Sequence, residues 1–326
     1  ALTLHKNGYN TIMLTEKPDY TPIESWLPGD YNQIPHQPIE GQNLEIAPED
    51  FIIVPELYGH VMEQTSKLPC GKIVLCQAYD HIFETLSPGA TWQQFGFFKC
   101  ITTSELQKEH ISRVMKNVSI DVIEPFISDV FEKQVEPPKT IIGISSREQR
   151  DALNIIKEFY VKYPQFRFFT FKDLRGMSYT EFANSIKECF LGVWVDPTSS
   201  FGTFPLECMK TGIPVVGKIP NLPPTWMTET NGVWIDNTIQ MADVIADICQ
   251  TWLEDSLKPE LYTEGAKTVE EFGTTVREIA KTSIKFQSRP SFPIKWGVGN
   301  NNLVKILSSK ISNFGGEAYV LNNSST

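Results

Sequence analysis

Small polar residues that could bind a phosphate precede a glutamate by about one helical turn in the second half of the chain. Ser199, Ser200 and Gly202 lie in a small-residue loop, and Glu207 follows in the apolar stretch that comes next. Backbone amides at the start of a helix bind phosphate groups well. A carboxylate one turn into that helix could accept two hydrogen bonds from the vicinal diol of a ribose. Spacing alone leaves open a second interpretation, in which Glu207 lies at the surface and complements the helix dipole.

The elements around this loop form one βαβ unit. An apolar, β-prone run over residues 189–195 ends at an aspartate and a proline, which predicts a buried strand that leads into a loop. We expect Thr203 to cap the following helix and Gly212 to end it. Residues 213–217 form the next strand. Because a crossover joins parallel strands, the amides at the helix start face the carboxyl edge of the sheet.

The sequence from Ser199 to Gly217 resembles the donor-site signature of retaining GT-B glycosyltransferases of the family 4 type. That signature usually reads Glu-Gly-Phe-Gly-x-x-x-x-Glu-Ala-Met-Ala-x-Gly-x-Pro-Val-Val, and its Phe-Gly, second Glu, Met and Gly-x-Pro-Val-Val positions match in register. Ser199 takes the place of the family's first glutamate, which lies near the donor sugar. The resemblance implies that Glu207 holds the ribose of a nucleotide-sugar. It also implies that four other residues bind the donor: Ser199, Phe201, Gly202 and Thr203.

The same resemblance implies a hexosyltransferase-type reaction that moves a sugar from a nucleotide-sugar donor to an acceptor hydroxyl with retention of the anomeric configuration. Two cations after a predicted strand at residues 140–145, Arg147 and Arg150, lie in the loop where the family neutralises the donor diphosphate. Taken alone, two cations in a loop are also typical of a protein surface. We expect no cofactor and no metal, because in the implied scheme the leaving phosphate takes the acceptor proton, and the sequence lacks an Asp-x-Asp motif.

Two further interpretations keep the fold and change the function. A nucleotide-sugar epimerase would bind the same nucleotide and would need carboxylates around the sugar. A non-catalytic GT-B protein would serve as a binding or partner subunit, and the serine at position 199 favours that interpretation. A dehydrogenase lacks support because no Gly-x-Gly-x-x-Gly follows any predicted strand. A periplasmic binding protein is disfavoured by the free cysteines and the lack of an export signal.

We predict an α/β protein with the GT-B fold, in which two Rossmann-like domains face each other across a cleft. The first domain begins with the end of a helix, which Gly8 terminates, and continues with a strand at residues 11–14. In the resembling family another strand precedes these elements, and we expect it to be missing here. The predicted segments are an N-terminal acceptor domain at 1–134, a linker at 135–139, a C-terminal donor domain at 140–286 and a tail at 287–326.

Polar side chains follow two predicted strands of the first domain, at residues 51–55 and 72–76. Ligands of open α/β sheets collect outside the carboxyl ends of the strands. These side chains are therefore our candidates for contacts with the acceptor, although each could instead cap an element or pair locally. The candidates are Glu56, His60, Gln77, Tyr79, Asp80 and His81.

Another strand of the second domain is predicted at residues 166–171, in a run rich in phenylalanine. It leads to a loop at residues 172–176, which is where the resembling family binds the nucleotide base. Ser178, with Glu181 three residues later, forms a capping box that begins the helix before the central motif.

The composition is that of a soluble globular protein, with 41% hydrophobic and 21% charged residues among 326. A net charge of -10 argues against a nucleic-acid surface as the main partner, because phosphate contacts need clustered lysine and arginine. Six cysteines without zinc-like spacing indicate buried free thiols in a reducing compartment. No apolar run reaches the length of a membrane span, and we therefore expect a cytoplasmic protein.

Overall fold

Two β-sheets, both entirely parallel, form the framework of the chain. The computed structural model describes residues 2–6, 8–15, 34–39, 46–132, 138–254 and 318–321. The chain divides into two compact units, one made of Ala1–Pro125 with Thr275–Thr326 and the other of Phe126–Thr274. Parallel sheets with intervening helices confirm the predicted α/β class.

The first unit alternates short apolar strands with helices. Its central strands, at residues 51–55 and 71–76, bury the apolar β-branched residues in their middles. Ser104 caps one helix by accepting a hydrogen bond from the Gln107 amide at 3.2 Å. The elements are α1 (Leu2–Lys6), β1 (Thr11–Thr15), β2 (His36–Pro38), β3 (Phe51–Pro55), α2 (Gly59–Gln64), β4 (Gly71–Cys76), β5 (Lys99–Thr102), α3 (Glu105–Val114) and β6 (Ser119–Val122).

The second unit repeats the alternation, and its sheet has the strand order β8-β7-β9-β10-β11. The chain adds β8 on one side of β7 and then returns to add β9 on the other side. The carboxyl ends of β7 and β9 therefore flank a topological switch point, where open α/β sheets bind their ligands. The elements are β7 (Ile141–Ser146), α4 (Gln149–Lys162), β8 (Thr170–Asp173), α5 (Tyr179–Glu188), β9 (Leu191–Val195), α6 (Thr203–Thr211), β10 (Val215–Lys218), β11 (Val233–Ile235) and α7 (Met241–Leu253).

The last described strand, β12 (Ala318–Leu321), lies in the middle of the first sheet. The order of that sheet is β2-β1-β12-β3-β4-β5-β6, and β12 pairs in parallel with β1 on one side and β3 on the other. The carboxyl-terminal part of the chain thus supplies a strand between β1 and β3, so the sheet is continuous there although the sequence analysis expected one strand fewer ahead of α1. The chain leaves β1 toward β2 and leaves β3 toward β4, so the switch point of this sheet lies between β1 and β3, where β12 is inserted.

Two local predictions for the second unit were wrong. The strand predicted at residues 166–171 begins only at Thr170, because Pro164–Phe166 forms a 3-10 turn whose Phe166 side chain is buried in an aromatic core with Phe169. Thr203 is the first helical residue of α6 and does not cap it. Gly202 holds the capping position with a φ of 73°, which a glycine adopts at no steric cost.

The division between the units differs from the predicted boundary. The units part after Pro125, whereas the prediction placed a linker at 135–139. The reason is that Ile127 and Phe131 are buried in the core of the second unit, which draws the segment after Pro125 to that side. Residues 133–137 and 255–317 lie outside the described part of the chain, and so do the predicted boundaries at 134 and 286.

All six cysteines are free and buried. Among the described residues, no helix combines the length and the apolar content that a membrane crossing requires.

Candidate functional site

The switch point of the second sheet brings two loops together. Residues of β7 and β9 pair in parallel up to Ser146 and Val195. The backbone amide of Arg147 then donates a hydrogen bond to the carbonyl of Val195 at 3.0 Å. The loop that begins at Arg147 and the loop that begins at Asp196 therefore leave the sheet edge side by side.

Asp196 organises the loop that follows β9. Its Oδ1 atom accepts hydrogen bonds from the amide and hydroxyl of Thr198, at 3.1 and 3.2 Å, and from the amide of Ser199 at 3.0 Å. A guanidinium nitrogen of Arg147 lies 3.7 Å from the same oxygen. One carboxylate thus fixes the start of the loop and attracts Arg147 toward it.

Replacement of Asp196 by alanine is expected to lower the free energy of unfolding by roughly 2 kcal/mol, because the amides of Thr198 and Ser199 lose a charged acceptor. Asp196→Asn is the matched control, since its side-chain oxygen can accept the same bonds, and it should lose less than half as much. Urea unfolding at neutral pH measures both values. Equal stability of wild type and Asp196→Ala would show that Asp196 does not hold the loop.

The end of this loop is built around Gly202. The indole nitrogen of Trp226 donates a hydrogen bond to the carbonyl of Phe201 at 2.7 Å, which fixes the residue before the glycine. A Cβ atom at Gly202 would lie 2.8 Å from the ring of Trp194. No side chain caps α6, so the amides of Thr203 and Phe204 at its start are available to an anion; Pro205, which follows, has no amide hydrogen.

Glu207 lies on the next turn of α6. Burial raises the pKa of its carboxyl group to about 8. Among the described residues, no side chain forms an ion pair or a hydrogen bond with this carboxylate. Lys210, one turn further on, is bound instead to the Ile127 carbonyl at 2.9 Å and to Asp129 at 2.8 Å. A carboxylate that is desolvated without a protein partner is typical of a ligand-binding position.

Tyr179, at the first position of α5, is a site residue that the sequence analysis missed. Its hydroxyl forms a hydrogen bond with Ser128 and interacts electrostatically with Glu207. Burial raises the pKa of Tyr179, so the hydroxyl is a neutral donor. The capping box at Ser178 predicts where α5 begins, but only the packing of α5 on α6 shows that Tyr179 approaches Glu207.

Most of the other predicted donor-site residues lie at the switch point, and one does not. Arg147, Ser199, Phe201, Gly202 and Thr203 all lie in the two loops at the switch point or at the start of α6. Arg150 is exposed in the first turn of α4, and no described acid pairs with it. The structure thus brings Arg147 to the loop after β9 and leaves Arg150 on the helix surface.

The acceptor-side candidates belong to the first unit. Glu56 is buried at the carboxyl end of β3, and its Oε1 atom accepts hydrogen bonds from the amides of Gln77 and Ala78. Asp80 is exposed in a 3-10 turn, Tyr79–His81, and His81 pairs with Glu84. His60 is exposed near the start of α2 and meets the Tyr58 ring edge-on. Glu56, Gln77 and the turn therefore form one group, and His60 lies on a separate element.

Metal-ligating side chains do not converge in the described ranges, where no three of His, Cys, Asp and Glu are grouped as a cation site.

Comparisons with known proteins identify the fold of this framework. No protein-family model matches the sequence, and no curated protein matches it significantly. Sucrose-phosphate synthase from Thermosynechococcus elongatus is similar with a TM-score of 0.58 at 12% identity, over 86% of this chain and 91% of that one. A glycosyltransferase from Rickettsia africae is similar with a TM-score of 0.56 at 12% identity, over 88% and 93%. The fold is GT-B.

Two longer enzymes show the same likeness over part of their length. The pneumococcal O-GlcNAc transferase GtfA, solved in complex with UDP and GlcNAc, is similar with a TM-score of 0.53 at 15% identity. The enzyme TarM is similar with a TM-score of 0.53 at 17% identity. Both matches cover 74% of this chain, and the chain spans only 57% of GtfA and 56% of TarM. At these identities the shared feature is the GT-B fold.

Proposed function

We propose that this GT-B protein is a glycosyltransferase that moves a sugar from a nucleotide-sugar donor to an acceptor hydroxyl, with retention at the anomeric carbon. The observation that carries the proposal is Glu207, a desolvated carboxylate without a described protein partner, one turn into a helix with an uncapped start at the switch point. A ribose diol would supply the hydrogen bonds that this carboxylate lacks. The amides ahead of it suit the diphosphate of the same ligand.

The residues at the switch point have distinct roles in this proposal. In the transfer step, the bond between the anomeric carbon and the donor phosphate oxygen breaks, and its electron pair stays on that oxygen. Arg147 and the amides of Gly202 and Thr203 stabilise the charge that grows there. The acceptor oxygen bonds to the anomeric carbon on the same face, and its proton passes to the leaving phosphate. Glu207 orients the nucleotide and takes no part in bond making.

A uridine nucleotide carrying a hexose is the first donor to test. GtfA, which shares the fold, was solved with UDP and GlcNAc. We extend that chemistry to this chain only as a proposal, because no described contact selects a base or a sugar. The cytoplasmic location expected from the free cysteines stays a prediction.

A binding or partner subunit is the second candidate function. Ser199 is the observation that favours it, since the resembling family has a glutamate near the donor sugar at this position. The backbone amide of Ser199 is bound to Asp196, and its short side chain supplies no carboxylate. In that case the nucleotide would still bind, and no sugar would be transferred.

Release of nucleoside diphosphate from candidate donors tests the proposal without a known acceptor. We expect at least one of UDP-glucose, UDP-GlcNAc, GDP-mannose and ADP-glucose to be hydrolysed faster than in buffer. Arg147→Ala should slow this release at least about tenfold, because it removes a cation that faces the leaving group. Arg113→Ala is the control, since Arg113 is an exposed residue of α3. Binding of a donor with no release would favour the binding subunit.

A further inference from the structure

The loop that follows β10 is hydrogen-bonded to the loop that leads into α6. It covers residues 219–232, and we call it the tryptophan loop. The amide of Asn221 donates a hydrogen bond to the carbonyl of Pro197 at 2.9 Å. Further along, the indole of Trp226 donates to the carbonyl of Phe201. The tryptophan loop therefore holds the loop after β9 near its start and near its end.

Asn231 fixes the tryptophan loop from within. Its side chain is buried, with the residue 1% exposed. The side-chain nitrogen donates to the carbonyl of Trp226 at 2.7 Å. The side-chain oxygen accepts from the amide of Thr228 at 3.1 Å and from the indole of Trp234 at 3.3 Å. Because each of these partners can only accept or only donate, the orientation of the Asn231 amide is determined. One buried side chain thus fixes the backbone at Trp226, and with it the place of the indole.

The ring of Trp226 is packed as well as hydrogen-bonded. It meets the ring of Trp234 edge-on, with the ring centroids 5.8 Å apart. A Cβ atom at Gly202 would lie 3.1 Å from the Trp226 ring, so the indole touches the backbone just ahead of α6. Trp226 is only 8% exposed. Its side chain therefore acts on a ligand through the loop and not by contact.

The hydrogen bond from Trp226 determines where the amide of Gly202 points. The Phe201 carbonyl and the Gly202 N–H belong to one planar trans peptide group, in which they point in opposite directions. The N–H of Gly202 thus points away from the indole, and within the described ranges no group accepts a hydrogen bond from it. Gly202 is left-handed and Thr203 is helical, and successive amides in such an arrangement form a concave site for an anion.

We propose that Trp226 is a positioning residue for the diphosphate of the donor: its indole hydrogen bond aims the amide of Gly202 at a phosphate oxygen, and Asn231 holds the indole in place. Neither side chain touches the ligand. The proposal rests on the proposed glycosyltransferase function, because the nucleotide-sugar supplies the phosphate.

Calorimetric titration of the full chain with a nucleoside diphosphate and with its nucleoside tests the proposal, because only the diphosphate can meet the amide of Gly202. The probe is whichever of UDP, GDP and ADP the wild type binds best. In Trp226→Phe, an aromatic ring remains and the N–H donor is lost. We expect the affinity for the diphosphate to fall at least about fivefold. The affinity for the nucleoside should stay within about twofold of wild type.

Trp234→Phe is the matched control. It removes an indole donor from the same region, and the bonds that it loses go to the carbonyl of Thr228 and to Asn231. The bond from Trp226 to Phe201 is left in place, and Asn231 keeps its two other bonds. Affinity for the diphosphate should therefore stay within about twofold of wild type.

Asn231→Asp tests how the indole is held. A carboxylate oxygen takes the place of the nitrogen that donates to the Trp226 carbonyl, so the two oxygens repel each other. We expect the same selective loss of affinity for the diphosphate as in Trp226→Phe. If this variant does not fold, Asn231→Ala replaces it, because alanine removes the hydrogen bond without the repulsion. Normal affinity in the variant that folds would overturn the role of Asn231.

Unchanged affinity for the diphosphate in Trp226→Phe would overturn the proposal. An equal loss for the diphosphate and the nucleoside would overturn it too, since that result indicates a general loosening of the site, and so would an equal loss in Trp234→Phe. These outcomes leave the proposed function intact, because the wild type still binds the nucleotide. If the wild type binds no diphosphate, the proposed function fails and this proposal fails with it.

Discussion

Replacement of Gly202 by alanine is expected to abolish nucleotide binding and to lower the free energy of unfolding by roughly 2–5 kcal/mol. Two causes add together. The residue has a φ of 73°, which is strained for alanine. The new Cβ atom would also lie 2.8 Å from the Trp194 ring, and it would displace the loop that leads to α6. Urea unfolding and a nucleotide titration measure the two effects separately.

Gly89→Ala is the matched control for this prediction. Gly89 has a φ of 82°, but no atom lies within 4 Å of the position that a Cβ atom would take. It therefore carries the backbone cost alone, about 1–2 kcal/mol, and it should leave nucleotide binding unchanged. Equal destabilisation by the two variants would show that the contact with Trp194 is unimportant. Normal nucleotide binding by Gly202→Ala would remove the loop from the proposed site.

Glu207→Gln is expected to weaken nucleotide binding by about 10- to 100-fold at pH 8.5, because a charged hydrogen-bond acceptor is lost. The same change should leave the protein as stable as wild type, or more stable. Burial raises the pKa of Glu207 from 4.5 to about 8. The folded protein thus binds this proton more tightly than the unfolded chain does. The contribution of this group to the free energy of unfolding is therefore greatest below pH 4.5 and is lost as the pH rises through about 8.

Loss of binding without loss of stability distinguishes a ligand-binding carboxylate from one that supports the helix. Nucleotide affinity of the wild type should also rise between pH 6.5 and 8.5, as Glu207 ionises, whereas Glu207→Gln should show no such rise. Thermal unfolding and calorimetric titration across this range supply both readings. Glu229→Gln, at an exposed position of the same unit, is the control. If Glu207→Gln were less stable than the wild type at pH 8.5 and bound the nucleotide normally, Glu207 would be a residue that supports the helix and not one that binds the ligand.

Local signals in the sequence predicted much of the second unit. The apolar run before Asp196 is the buried strand β9, Gly212 ends α6 with a φ of 85°, and Ser178 caps α5 with Glu181. Each of these features depends on neighbouring residues, so periodicity and capping chemistry reveal them. The βαβ unit then places the start of α6 at the sheet edge by topology alone.

Features that depend on distant parts of the chain could not be predicted in this way. The pairing of β12 between β1 and β3 joins segments from opposite ends of the sequence. The approach of Tyr179 to Glu207 depends on how α5 packs on α6. The sequence analysis left Glu56 as an acceptor contact or a local cap, and its hydrogen bonds to amides more than 20 residues away are visible only in the structure. No local pattern marks such a pair.

Calorimetric titration of the wild-type chain with UDP, GDP and ADP, and with the matching nucleosides, tests whether the start of α6 binds a nucleotide diphosphate. We expect at least one diphosphate to bind with a Kd in the micromolar range, which corresponds to a binding free energy of roughly 8 kcal/mol. Its nucleoside should bind at least about tenfold more weakly, because Arg147 and the amides at the start of α6 then have no phosphate to meet. Binding of no diphosphate, or equally tight binding of a diphosphate and its nucleoside, would show that this helix start is not a phosphate site.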